Sequence, residues 1–122
     1  MSRIISFGWT ADAVKARRKT VTRREWKDSY ARTFKAGEEL QAWTKVPFAG
    51  GKRFGTVRLT QAPYQESTGE IPFEDWDAEG FEFMNEAGIT VDGRPPLQFW
   101  MDWRTRPRTL WVVRFEILEL FE

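Results

Sequence analysis

Apolar and polar positions alternate most regularly near the C-terminal end, where Trp111, Val113, Phe115 and Ile117 interleave with Val112, Arg114 and Glu116. That period of two predicts a central β-strand over 109–118 with those four side chains inward. Shorter runs predict further strands. Ile4-Ile5-Ser6-Phe7 is closed by Gly8, and in 39–45 Leu40, Ala42 and Thr44 alternate with Gln41 and Trp43. In 53–60, Phe54, Thr56 and Arg58 are expected on one face and Gly55, Val57 and Leu59 on the other, after a hairpin signal at Gly50-Gly51. Thr10 reads as the N-cap of a helix over 11–17, with Asp12 in its first turn. Trp26, Tyr30 and Phe34 recur at helical spacing within 25–34 and read as a core stripe. Phe73, Trp76, Phe81, Met84 and Ala87 do the same, broken at Gly80 into two short pieces and stopped at Gly88. A last short helix over 97–103 places Trp100 and Trp103 on one face. Residues 35–38 and 92–96 read as turns, and 61–72 as a loop. Five or so strands with short helices between them predict an α+β fold, a small mixed β-barrel with short flanking helices.

Between the first predicted helix and Trp26 lies Arg17-Arg18-Lys19-Thr20-Val21-Thr22-Arg23-Arg24, with five cations among eight residues. Unpaired cations are not buried together, so a solvated basic turn is one reading. The two Thr and the β-branched Val21 favour another, a strand edge that holds donors on rigid backbone as an anion site needs. Charge along the chain is uneven. Residues 1–35 hold ten Lys or Arg against three acids, and 59–93 hold nine acids and no base. Either the basic end meets an anionic partner or the two arms pair with each other.

The 122 residues suffice for one domain with a real core, and seven Trp and ten Phe let it bury much area per residue. Cysteine and histidine are both absent. That excludes disulfides, thiolate and imidazole metal sites, a cysteine nucleophile and a Ser-His-Asp triad. Acid–base chemistry therefore falls to Lys, Thr, Ser, Tyr or carboxylates, and neither metal nor cofactor is expected. No apolar run spans a membrane and the N-terminus lacks an apolar signal core, which points to a cytoplasmic protein.

Lys19, Thr22 and Arg24 fall on the Lys, Thr and Arg of a pattern that resembles the signature of the ASCH domain family, approximately Gly-x-Lys-x-x-Thr-x-Arg. The run from Phe7 to Ala16, the Lys35-Ala36-Gly37 turn and Ala78-Glu79-Gly80-Phe81 also sit where the family has a helix, a turn and a Glu-Gly-aromatic segment. The one departure is Arg17 at the family's Gly, a position that closes the helix in a left-handed conformation. A non-Gly residue there costs about 1 kcal/mol, so either the turn differs or Arg17 bears that strain. The resemblance implies a PUA-like barrel with a cleft beside the motif, and RNA, nucleoside or nucleotide partners. Some small members of the family are similar to amidohydrolases that deacetylate N4-acetylcytidine through the motif's Lys and Thr with a downstream Glu. Others are linked to RNA cleavage or transcription.

Read from the residues themselves, Lys19 beside Arg18, Arg23 and Arg24 feels like charges that favour its neutral, basic form. Thr22 is then a nucleophile or orients a water. Arg24, with Arg23 beside it, offers donors to a phosphate or an oxyanion. Glu79, set among Ala78, Gly80 and Phe81, suits a proton donor, although an isolated Glu next to Gly is commonly just solvated. Trp9 and Trp26 are expected to stack on substrate, with core packing as the plainer role for most of the Trp. In a regular strand Lys19 and Thr22 face opposite ways. They converge only if Lys19 lies in the turn before the strand, or if the strand is bulged. A non-catalytic RNA-binding module using the same basic cleft is the competing reading.

Overall fold

A computed structural model describes residues 2–121. Six strands form one mixed sheet: β1 (Arg3–Ser6), β2 (Val21–Arg24), β3 (Glu39–Trp43), β4 (Arg53–Leu59), β5 (Tyr64–Ser67) and β6 (Thr109–Leu120). The order is β1-β3-β4-β6-β2, with β5 also paired to β6. β1 runs parallel to β3 and every other pairing is antiparallel. β6 holds the sheet together. Its second half pairs with β4, and its first half lies between β5 and β2, so the sheet curls into a half-barrel. The fold is α+β and barrel-like, as the alternation predicts.

Helices α1 (Ala11–Lys15), α2 (Asp28–Ala31), α3 (Asp75–Ala78), α4 (Phe81–Ala87) and α5 (Pro96–Thr105) close the curl. One apolar cluster gathers Ile5, Phe7, Leu40, Val57 and Phe115, and a second gathers Phe81, Met84, Trp100, Trp103 and Leu110. Adjacent residues of α1 serve both, Val14 the first and Ala13 the second. Because helices cover its far side, β6 buries Leu110 and Val112 as well as Trp111, Val113 and Phe115, while Ile117 is only half-buried.

Several expectations are corrected. Thr10 does not cap α1: its hydroxyl donates to the Phe7 carbonyl at 2.8 Å, continuing the short 3-10 turn Gly8–Thr10. α1 ends at Lys15, not Arg17. The 25–34 segment is helical for only one turn, yet its rings still meet. Trp26 stacks on Phe34 at 4.7 Å, and Tyr30 stands edge-on to both. Phe54 joins the core against the expected alternation, because Ala42 pairs with Gly55 and Trp43 with Arg53, leaving Phe54 bulged and turned inward. The 61–72 segment contains β5 and a 3-10 turn, Thr68–Glu70. No helix among the described residues is long and apolar enough to cross a membrane.

Candidate active site

The turn leaving α1 positions the site. Arg17 has φ +62°, so it occupies the left-handed position that favours glycine. The Arg18 amide donates to the Ala13 carbonyl and the Arg17 amide to that of Val14, both at 2.9 Å. This is a Schellman closure with Arg17 at its left-handed residue. Of the two expectations for Arg17, the structure shows the second: the residue itself takes the strained left-handed conformation. Lys19 follows in that turn, before β2 begins, and so escapes the strict alternation of the strand.

The α3–α4 corner meets Lys19 from the other side. Gly80 has φ +90°, and a Cβ there would lie 2.5 Å from the Cβ of Ala13 and 3.3 Å from that of Lys19. Only glycine lets this corner approach, and the approach carries Glu79 onto Lys19. The Thr20 amide secures it by donating to the Ala78 carbonyl at 2.7 Å.

Lys19 is 1% exposed and Glu79 2%. Lys19 Nζ donates to the Glu79 backbone carbonyl at 2.8 Å and to Oε1 at 2.9 Å. Arg23 donates to the other carboxylate oxygen, Oε2, at 2.7 Å. Its remaining Nη reaches Glu66 at 2.8 Å and Asp75 at 2.6 Å, and Arg114 grips Asp75 from the opposite side at 2.8 and 3.1 Å. Three cations thus face three carboxylates in one partly buried network. Burial pushes the Lys19 ammonium down from 10.5, with Arg24 and Arg23 adding to the effect and Glu79 opposing it. Burial pushes Arg23 down as well, but Glu79, Glu66 and Asp75 outweigh it and hold the guanidinium above its ordinary range. Burial raises Asp75, and Arg114 and Arg23 more than reverse that, leaving its carboxyl below 3.8.

A cavity of about 340 Å³ opens between the two clusters. Phe7, Phe81, Val91, Phe99 and Trp103 form its apolar wall, and Lys19, Thr22, Arg23, Arg24 and Glu79 supply its polar groups. Lys19 and Thr22 thus line one space, although no hydrogen bond joins them among the described residues. Thr22 Oγ1 accepts from Arg24 Nε at 3.1 Å. Arg24 lies 5.6 Å from the Phe7 ring centroid and has no carboxylate partner among the described residues. Burial draws it down to about 10. Trp9, 60% exposed, stands on the cavity's edge.

Three sequence expectations change here. Trp26 is not on the cavity wall, because its ring is stacked on Phe34 instead. Arg23 lines the cavity, but its Nη groups are committed to carboxylates of the same chain. Arg18 does not bear on Lys19. It turns outward to Asp77 at 3.1 Å and Glu86 at 3.5 Å, and burial rather than the neighbouring arginines dominates the lysine. The sequence reading also missed Asp75 and Arg114. Asp75 lies one helical turn before Glu79, a spacing that puts both on one face. Arg114 is the lone cation in the most apolar strand. The carboxylates are engaged by these cations, and no group of them among the described residues is disposed to hold a metal ion.

No family model matches the chain, and no curated protein matches it. Among solved structures it is similar to protein EF3133 from Enterococcus faecalis V583, a DUF984 protein, with a TM-score of 0.64 and 16% sequence identity over 98% of this chain and 78% of that one. At that identity the likeness concerns the fold, a curled mixed sheet with short helices.

Proposed function

We propose that the cavity hydrolyses an amide on a nucleobase, with N4-acylated cytidine as the substrate class. The observation that carries this is a lysine, 1% exposed, held against Glu79 on the wall of the cavity that also contains Thr22 and Arg24, which has no ion pair among the described residues. Its volume falls within the range of small-molecule sites, and the apolar wall suits a base. The substrate class comes from the motif resemblance.

The chemistry follows from the contacts. Lys19 becomes a base when its proton passes along the 2.9 Å contact to Glu79, a transfer that burial assists by disfavouring separated charges. A water held between the Lys19 amine and the Thr22 hydroxyl attacks the amide carbonyl carbon, and Lys19 takes one of its protons. Arg24 meets the developing oxyanion. The C–N bond then breaks, and Glu79 gives its proton to the departing amine. The products are a carboxylic acid and the free exocyclic amine, and the Lys19–Glu79 ion pair is restored. Thr22 acts here by orienting water, since no hydrogen bond links it to Lys19.

The competing reading, an RNA-binding module or ribonuclease, draws on exposed Trp9 at the rim as a stacking surface. It is weakened by the pairing of Arg18, Lys19 and Arg23 with acids of the same chain. A screen of purified protein against acylated nucleosides and short RNAs, read by mass change, tests the proposal. Loss of an acyl group from a free nucleoside supports it. Steeply salt-dependent RNA affinity with no turnover favours the binding module.

A further inference from the structure

A second cavity, of about 220 Å³, adjoins the first across the rings of Phe99 and Trp103, which line both. The rest of its wall is Arg94, Asp102, Arg106 and Arg108, three guanidiniums against one carboxylate. Asp102 is taken by Arg94. Arg108 reaches only the exposed Glu25, at 3.4 Å, and Arg106 has no ion pair among the described residues. The cationic excess of this wall is therefore not neutralised among the described residues, in contrast to the network around Glu79.

The backbone that carries these arginines is held rigidly. Arg106 follows the end of α5, and Pro107 and Arg108 lead into β6. Fully buried Thr68 fastens this crossing from inside: its hydroxyl donates to the Trp103 carbonyl at 2.7 Å and accepts from the Arg108 amide at 3.0 Å. The Thr68 amide also donates to the Arg108 carbonyl at 2.9 Å. Next to it, a Cβ on Gly69 would lie only 3.1 Å from Pro107, so the turn and the crossing are in close contact. A further observation lies in the shared wall. The indole Nε1 of Trp103, a residue 8% exposed, is buried with no hydrogen-bond partner among the described residues. Buried indole N–H groups ordinarily find an acceptor.

We infer that this second cavity is a phosphate subsite, and that the ligand of the central cavity is a phosphorylated nucleoside. Guanidinium forks match phosphate oxygens in number and plane, and the orphan indole N–H supplies a further donor between the base and the phosphate. The inference rests on reading the central cavity as a nucleobase site. The recognised group is a phosphate ester, carried by a mononucleotide or by a polynucleotide backbone.

The test uses the full chain with four probes: inorganic phosphate, cytidine, cytidine monophosphate and a cytidine trinucleotide. Calorimetry gives affinities, and the indole N–H resonance of Trp103, assigned by its loss in Trp103→Phe, reports on the wall. Phosphate alone is expected to shift that resonance, and cytidine monophosphate to bind about tenfold tighter than cytidine. Arg106→Ala and Arg106→Gln, at an exposed and unpaired position, should abolish both effects while circular dichroism shows the fold retained. Cytidine that binds as tightly as its monophosphate would overturn the inference and leave the nucleobase reading standing. Phosphate and cytidine monophosphate that bind where cytidine neither binds nor, when acylated, turns over would support the subsite and remove the nucleobase reading. A trinucleotide that binds tighter than the monophosphate, with the same dependence on Arg106, assigns the phosphate to a polynucleotide backbone. Equal or weaker binding assigns it to the nucleotide itself.

Discussion

Lys19 is a cation taken out of water, and what the fold supplies in return decides its chemistry. Glu79 answers it on one carboxylate oxygen and Arg23 occupies the other, so the pair is rigid as well as buried. Glu79→Gln leaves two buried cations without their shared counter-charge and should cost about 3–5 kcal/mol in urea unfolding; a loss below about 1 kcal/mol would mean the pair contributes little to stability. Thr22 is different, since among the described residues its hydroxyl accepts only from Arg24. Thr22→Val should reduce turnover about 100-fold or more while changing stability by about 1 kcal/mol. Asp75 gives the molecule an acid limit. Its folded carboxyl ionises below the 3.8 of the unfolded chain, so its contribution is present above 3.8 and is lost as pH falls through the folded value. Asp75→Asn should abolish that part of the acid-induced loss in a series of denaturant melts. Lys19 adds a dependence of the same sign at high pH. Its folded value lies below 10.5, the unfolded chain binds more protons between the two, and stability from this group rises with pH across that window. That Lys19, Thr22 and Arg24 lie close together is legible in the sequence because their spacing is local. The pairing of Asp75 with Arg114 is not, because 39 residues separate them and only the packing of the folded chain brings α3 and β6 together.

At the scale of elements, turns rather than helices determine where the site lies. α1 is five residues long and ends in a closure whose left-handed position is filled by Arg17. Arg17 is exposed and makes no ion pair among the described residues, so Arg17→Gly should relieve strain and stabilise the protein by up to about 1 kcal/mol in thermal melts. A destabilised variant would show that the Arg17 side chain matters more than its backbone. The regular alternation of β6 was readable because a sheet face repeats every two residues, and the Gly80 and Gly88 breaks were readable because glycine is the residue such corners require. β5 and the Thr68 turn were not, since a four-residue strand among prolines carries too few alternating positions to show a period. The 25–34 aromatics gave a correct cluster and an overlong helix: rings at i, i+4 and i+8 can meet around a single turn when stacking, rather than helix length, brings them together.

Across the whole molecule, part of the charge asymmetry of the sequence is met internally. Arg18 pairs with Asp77 and Glu86, Lys19 with Glu79, and Arg23 with Glu66, Asp75 and Glu79, so the acidic arm folds onto the basic one. Sequence alone left open whether the arms pair or await a partner, because charge counts carry no distances. Of the cations without an ion pair among the described residues, Arg24 lines the central cavity and Arg106 its neighbour, where a ligand's negative charge or developing oxyanion would be met. The central claim is that Lys19 acts as a base in a cavity shared with Thr22 and Glu79. The pH dependence of acyl release from N4-acetylcytidine, followed by mass for the wild type, Lys19→Met and Thr22→Val, tests it most directly. The account predicts a wild-type rate that holds level while the Lys19–Glu79 pair keeps its shared proton and falls at high pH, where that proton is lost to solvent below the ordinary lysine value of 10.5, and no comparable release from either variant. No acyl release by the wild type at any pH, or a rate and pH profile unchanged in Lys19→Met, would contradict it.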